Sequence, residues 1–251
     1  TVDVGLLTRK MANDLNPSNQ GKIAIQEESG RSWTYSELHT LSNAYAHKLR
    51  ELGVRKGDRV GILLYNCLEY FGLYFAAAKI GAVAVRLNFR LTSAELEYAL
   101  NDSQTKVLCF HSNLSEQIEP VLQQVSVERY ICLENAEQAL PSWSEPWSVF
   151  ESGSTDEVEV GHVKLTDPVM LMYTSGTTGR PKGAIWTHDT TFWFSAIQSL
   201  RWKFTGEEIA MTTGPLYHVG AMEDIALPVM MMGGTVIITQ SQGFEIGRIL
   251  S

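Results

Sequence analysis

The stretch VMLMYTSGTTGRPKGAIWT, residues 169–187, decides the reading of this 251-residue chain. Apolar runs at either end read as strands. Between them Thr174 precedes three hydroxyl residues, Ser175, Thr177 and Thr178, set beside Gly176 and Gly179, with Arg180, Pro181 and Lys182 following. Glycines let a backbone approach an anion and turn its N–H groups toward it. Hydroxyls donate to phosphate oxygens or ligate Mg²⁺, and a lysine adds a point charge for outer phosphates. The composition therefore suits a polyphosphate cradle, with a polar hairpin lacking any ligand as the alternative. Neither G-x-x-x-x-G-K-[ST] nor G-x-G-x-x-G fits the spacing.

Upstream of this loop, helical and strand-like segments alternate. Ser36 is a candidate cap for a helix through ELHTLSNAYAHKLREL, with Leu38, Leu41, Tyr45, Leu49 and Leu52 on one face and Gly53 at its end. RVGILLY reads as a buried strand, LEYFGLYFAAAKI as a helix stopped by Gly81, and AVAVRL as a strand. Thr92 and Glu95 have capping-box spacing and open a helix through LEYAL. KVLCF, NLSEQIEPVLQQV and RYICL follow as strand, helix and strand. Residues 134–164 carry seven acidic residues against one lysine, with Pro141 and Pro146, and read as a solvated connection with a short helix near Trp147–Phe150.

Downstream, EIAMTT and GTVIIT are strand-like, DTTFWFSAIQSLRW and AMEDIALPVMMM are helical, and GFEIGRILS reads as a helix beginning. Strands apolar on both faces, alternating with helices, predict an α/β fold of mostly parallel sheets flanked by helices.

Composition narrows the function. Net charge is −8, and no Lys/Arg run forms the basic face a nucleic-acid binder needs, so no nucleic-acid partner is expected. Cys67, Cys109 and Cys132 lie far apart without C-x-x-C spacing, which predicts buried reduced thiols and a cytoplasmic setting. No stretch is apolar enough to span a bilayer, and the first residues lack a secretory core, so no integral membrane segment is expected.

The string T-S-G-T-T-G-R-P-K-G at 174–183 resembles the phosphate loop of the adenylate-forming superfamily: acyl-CoA synthetases, peptide-synthetase adenylation domains and firefly-type luciferases. R-S-W-T-Y-S-E-L at 31–38, A-A-K-I-G-A-V-A-V-R-L-N-F-R-L-T at 77–92, P-L-Y-H-V-G at 215–220 and G-G-T at 233–235 resemble further blocks of that family, in the family's order. The resemblance implies ATP, Mg²⁺ and coenzyme A, with a small-molecule carboxylic acid joined to AMP and then passed to a thiol. It implies that Thr174, Ser175, Gly176, Thr177, Thr178, Gly179 and Lys182 wrap the outer phosphates, and it leaves open which threonine meets the metal. His218 would stand near the carboxylate. A lone histidine before an apolar helix also suits a hydrogen-bonded core residue, and a carboxylate needs no general base at neutral pH.

Other candidates read as structural. Glu223 and Asp224 are neighbours and cannot face one another on a helix, so they are expected to be solvated or capping. Trp186, Phe192, Trp193, Phe194 and Trp202 are expected in a packed core more than along an acyl channel. The family's aromatic-Gly-x-Thr-Glu block, ribose-binding aspartate block and lysine-bearing C-terminal domain are missing from the string. Residues 1–251 are therefore expected to be the N-terminal portion of the adenylation domain, incomplete at its C-terminus and inactive alone, with exposed apolar surface favouring self-association such as a homodimer. V-R-L-N-F-R-L-T looks more like an acyl-CoA synthetase acting on a fatty or related acid than an amino-acid adenylation domain. A non-catalytic nucleotide- or phosphate-binding module is the reading from another class.

Overall fold

The structure, a computed structural model, describes residues 3–14, 21–135, 138–174 and 181–239. After a short helix α1 (Val4–Arg9), a hairpin of β1 (Ile23–Glu27) and β2 (Ser32–Thr34) leads into α2 (Tyr35–Glu51). An alternating run follows: β3 (Arg59–Leu63), α3 (Leu68–Ile80), β4 (Val83–Arg86), α4 (Ser93–Ser103), β5 (Thr105–His111), α5 (Ser115–Ile118), β6 (Arg129–Leu133) and the two-residue β7 (Glu145–Pro146). The last third comprises β8 (Pro168–Thr174), β9 (Lys182–Thr187), α6 (His188–Trp202), β10 (Ile209–Thr212), α7 (Val219–Ala221), α8 (Leu227–Met232) and β11 (Thr235–Ile238).

Two sheets result. The larger has the order β7-β6-β5-β3-β4-β8-β9 and is parallel except at the β8–β9 hairpin. The smaller has the order β10-β11-β1-β2, parallel except at β1–β2. Helix α3 is buried at every position and packs against β1 of one sheet and β3 and β4 of the other. A helix apolar all round has no solvent face to offer, so it belongs between layers. Gly72 lets it approach α2, since a Cβ there would lie 2.8 Å from the Tyr45 ring. Gly81 ends the helix at φ +70°, as its sequence position predicts.

The mostly parallel architecture and the capping box of Thr92 and Glu95 agree with the sequence reading. Five expectations are corrected. Helix α2 is capped by Thr34, not Ser36, because β2 delivers Thr34 in extended geometry and Glu37 completes a reciprocal capping box. The predicted helix through residues 113–125 breaks into short turns around Pro120, which has no N–H for a helical bond. The connection 134–164 is only partly solvated: Trp147, Phe150 and Val158 are buried. Trp147 Nε1 donates to Tyr45 Oη at 3.1 Å, and Phe150 packs on the Tyr45 ring.

Helix α6 also departs from expectation. Its buried face is His188, Thr191, Ser195 and Ser199, while Trp193 and Trp202 are each 58% exposed. Small hydroxyl residues let α6 lie close to α8, where Ser199 Oγ donates to the Pro228 carbonyl at 3.1 Å, and Trp193 and Trp202 are left outside, while Phe192 and Phe194 are half-buried and Trp186 packs against the core as expected. Lastly, AMEDIALPVMMM is not one helix. A π-type turn at Met222–Ala226 separates α7 from α8, and Pro228 lies just after it. The expected helix at GFEIGRILS lies outside the described residues.

Candidate active site

The hairpin β8–β9 pairs Thr174 directly with Lys182. Opposite residues of an antiparallel pair share a face, so the loop opens with a hydroxyl and an ammonium side by side, both residues exposed. Thr174 Oγ1 donates to the Lys182 carbonyl at 3.4 Å. Ser175, Gly176, Thr177, Thr178 and Gly179, with Arg180, lie outside the described residues.

Helix α4 holds both ends of this loop. Tyr173 Oη donates to Asp102 Oδ2 at 2.7 Å and to the Ala99 carbonyl at 3.2 Å. Tyr98 Oη donates to the Pro181 carbonyl at 3.1 Å, and the two tyrosine rings meet edge to face. Burial, reinforced by the Asp102 carboxylate, raises the Tyr173 phenol pKa and keeps it a donor. Neither tyrosine stands out in the sequence: Tyr173 belongs to the strand that leads into the loop, whereas Tyr98 lies far upstream on α4.

Beside the loop a cavity of about 410 Å³ opens at the carboxyl ends of β4 and β8, the usual place for a ligand in a parallel sheet. Thr174, Pro181, Asn88, Tyr217 and His218 are among its walls. The structure thus brings His218 and Thr174 to one cavity, whereas Lys182, paired with Thr174, is not in its lining.

His218 is exposed, which rules against the core-histidine alternative. Its backbone N–H closes a turn onto the Pro215 carbonyl at 3.0 Å, and its Nδ1 accepts from Gly220 N–H at 3.2 Å, capping α7. With Nδ1 accepting, the ring proton of the neutral tautomer is on Nε2. Asn66 fixes the approach to this turn. Its amide nitrogen donates to the Gly214 and Thr239 carbonyls, both at 2.9 Å, and its oxygen accepts from Leu216 N–H at 2.8 Å. Asn66 was not singled out in the sequence, where a polar residue after a strand reads as an ordinary turn.

Glu223 overturns the expectation of a solvated or capping carboxylate. It is buried and takes Arg86 Nη1 and Nη2 on its two oxygens at 2.8 and 2.9 Å. Burial pushes the Glu223 carboxyl upward, with Arg86 pulling the other way. Burial also works against the Arg86 charge, but the Glu223 carboxylate outweighs it and holds the guanidinium above its ordinary value. Asp224 turns elsewhere and accepts from Gln198 Nε2 of α6 at 2.7 Å. Among the described residues no group of three or more His, Cys, Asp or Glu side chains could hold a metal ion, and no helix is long and apolar enough to cross a membrane.

The sequence model of the AMP-binding enzyme family matches residues 15–249. Feruloyl-CoA synthase of an Amycolatopsis species is 35% identical over 222 residues, covering 88% of this chain and 41% of the relative. The long-chain-fatty-acid–CoA ligase FadD13 of Mycobacterium tuberculosis is 31% identical, covering 99% of this chain and 47% of the relative. The ATP-bound crystal structure of MatB from Rhodopseudomonas palustris superposes with a TM-score of 0.84 at 25% identity, covering 99% of this chain and 47% of that one. The chain spans less than half the length of these relatives.

Proposed function

The chain belongs to the AMP-binding enzyme family, and on that premise we propose that it is the N-terminal portion of an ATP-dependent acyl-CoA synthetase. The complete enzyme joins a carboxylic acid to the α-phosphate of ATP with loss of pyrophosphate, and coenzyme A thiol then displaces AMP. The observation that carries this reading is the pairing of Thr174 with Lys182 at the mouth of a glycine- and hydroxyl-rich loop, with His218 on the wall of the adjoining cavity. Feruloyl-CoA synthase and FadD13, by their names, make thioesters of carboxylic acids with coenzyme A, and a fatty or related acid is the substrate class proposed.

The donor set suits a triphosphate. Lys182 offers an exposed ammonium and Thr174 an exposed hydroxyl, and Ser175, Gly176, Thr177, Thr178 and Gly179 add hydroxyls and backbone N–H groups between them. These residues would hold the outer phosphates and the departing pyrophosphate, and Mg²⁺, when bound there, would offset part of the phosphate charge. Shielding that charge is what lets a second anion approach. His218 would orient the incoming carboxylate by donating from Nε2–H, since Nδ1 is engaged by Gly220. It positions and does not deprotonate, because the acid is already ionised. The clamps from Tyr98 and Tyr173 keep the loop ends at a fixed distance from the cavity.

The three free cysteines are buried, which supports a reducing, cytoplasmic setting. Exposed Trp193, Ile197, Leu200 and Trp202 on α6 support the self-association expected of the chain, a homodimer in the simplest case. The experiment is carboxylate-dependent pyrophosphate release by the protein at the length of its relatives, over short, medium and aromatic acids. Lys182→Ala is expected to slow release by about 10²–10³. Release that is absent with every acid, or indifferent to Lys182→Ala, overturns the reading.

A further inference from the structure

Among the described residues, β9 is the edge of the larger sheet, with β8 as its neighbour. The hairpin end where Thr174 faces Lys182 therefore has no second strand to brace it, and exposed ends of this kind open most readily. Helix α4 supplies the brace. Tyr98 Oη donates to the Pro181 carbonyl at 3.1 Å, and Tyr173 Oη donates to Asp102 Oδ2 at 2.7 Å. Pro181 immediately precedes Lys182, and Tyr173 immediately precedes Thr174. Each contact thus lands one residue before a member of the pair, one on either side of the hairpin.

The helix is built to carry that load. Tyr98 and Asp102 stand four positions apart and share one face of α4. Leu96, Ala99, Leu100 and Ser103 bury the opposite side, and the Thr92–Glu95 capping box fixes the first turn. Pro181 brings a fixed φ of its own, so holding its carbonyl directs the chain into Lys182. Tyr173, Thr174 and Pro181 line the cavity beside His218, whereas Tyr98 and Asp102 do not. The two α4 side chains therefore act on the site through the hairpin and not by touching what binds there.

We propose that Tyr98 and Asp102 are positioning residues for nucleotide binding, holding Lys182 and Thr174 in place through Pro181 and Tyr173. This rests on the reading of the Thr174–Lys182 hairpin as the phosphate site of a carboxylate-activating enzyme. The Asp102 contact is the stronger of the two, because its acceptor is charged.

The test is steady-state pyrophosphate release by the full-length protein, with ATP and the acid varied in turn, in the wild type, Tyr98→Phe, Asp102→Ala and Asp102→Asn. Asp102→Ala is expected to raise KM for ATP by about tenfold and Tyr98→Phe by about threefold to fivefold, with KM for the acid within about twofold of wild type. Asp102→Asn keeps an acceptor for the Tyr173 hydroxyl and should recover most of the loss. Combining Asp102→Ala with Tyr173→Phe should raise KM for ATP no further than Tyr173→Phe alone, since both remove one bond. A KM for ATP that stays at the wild-type value, or that rises in step with KM for the acid, overturns the positioning role and leaves the carboxylate-activating reading standing. Release absent with every acid, wild type included, overturns both together.

Discussion

Arg86, at the end of β4, and Glu223, in the turn after His218, are 137 residues apart and meet in a bidentate ion pair with no exposed side-chain surface. Among the described residues Arg86 Nε has no hydrogen-bond partner, and the Glu223 carboxylate is what compensates the guanidinium. Arg86 also pairs in register with Met172 of β8, so the contact ties the His218 segment to the strand that leads into the loop.

Removing one member should be far worse than removing both. Glu223→Gln or Arg86→Met is expected to cost about 3–5 kcal/mol, because a buried charge is left alone. The double variant, Arg86→Met with Glu223→Leu, should lose much less than the sum of the single losses. Urea unfolding midpoints of the three variants measure this, and strict additivity would contradict it.

His218→Ala is expected to raise KM for the acid by about tenfold while leaving KM for ATP close to wild type. The imidazole faces the cavity, whereas the Thr174–Lys182 pair would carry the nucleotide. Steady-state kinetics with each substrate varied in turn decide it. A rise confined to ATP would exchange the two assignments.

Thr34 and Ser36 separate the two possible caps of α2. Thr34→Ala should cost about 1 kcal/mol, since it removes the hydroxyl that accepts from Glu37 N–H, while the bond from the residue 34 backbone N–H to the Glu37 carboxylate stays. Ser36→Ala should be neutral within a few tenths. Equal losses on thermal unfolding would mean that the capping box is not what starts the helix.

Gly72→Ala sets helix propensity against packing. Alanine gains about 1 kcal/mol in a helix interior, but the new methyl would stand 2.8 Å from the Tyr45 ring and 3.2 Å from Trp33. Overpacking costs about 1–3 kcal/mol, and Tyr45 has little room to yield between Trp147 and Phe150. A net loss of about 1 kcal/mol is expected, and a gain in unfolding midpoint would show that the ring moves freely.

Lys79 gives stability a pH dependence of known sign. Its buried ammonium donates to Asn43 Oδ1, Ser42 Oγ and His39 Nδ1, while Glu157 reaches it through His39 and Arg9 lies beyond. Burial lowers its pKa to about 7 from 10.5. Across that window the unfolded chain holds a proton that the native state has released, so stability rises with pH and levels off below about pH 7. The wild type should gain up to about 3 kcal/mol between pH 7 and pH 9.5, and Lys79→Met should lose that gain. Parallel curves for the two proteins would rule it out.

Several elements were legible because their signals are local. The strand–loop–strand of residues 169–187, the Thr92 capping box and the Gly81 stop each depend on neighbours within a few positions. Loss of periodicity was harder to see at Pro120 and Pro228, where one missing N–H changes a helix that the apolar pattern continues to suggest. Of the candidate site, the strand ends bearing Thr174 and Lys182 and the turn bearing His218 were marked in advance. Asn66, Tyr98, Tyr173 and Arg86 were not, since a polar residue looks the same in a sequence whether its partner is water or a backbone 150 positions away.

The sequence by itself determined the α/β class, the alternation that makes parallel sheets, and the loop in which phosphate chemistry would reside. Those follow from residue size, polarity and backbone freedom over short spans. Only the tertiary structure decided that β1 would pair with β11, that Glu223 would be buried on Arg86 while Asp224 met Gln198, and that Trp193 and Trp202 of α6 would stay outside. Such outcomes depend on which surfaces meet across long chain separations, and a residue's polarity does not specify its distant partner.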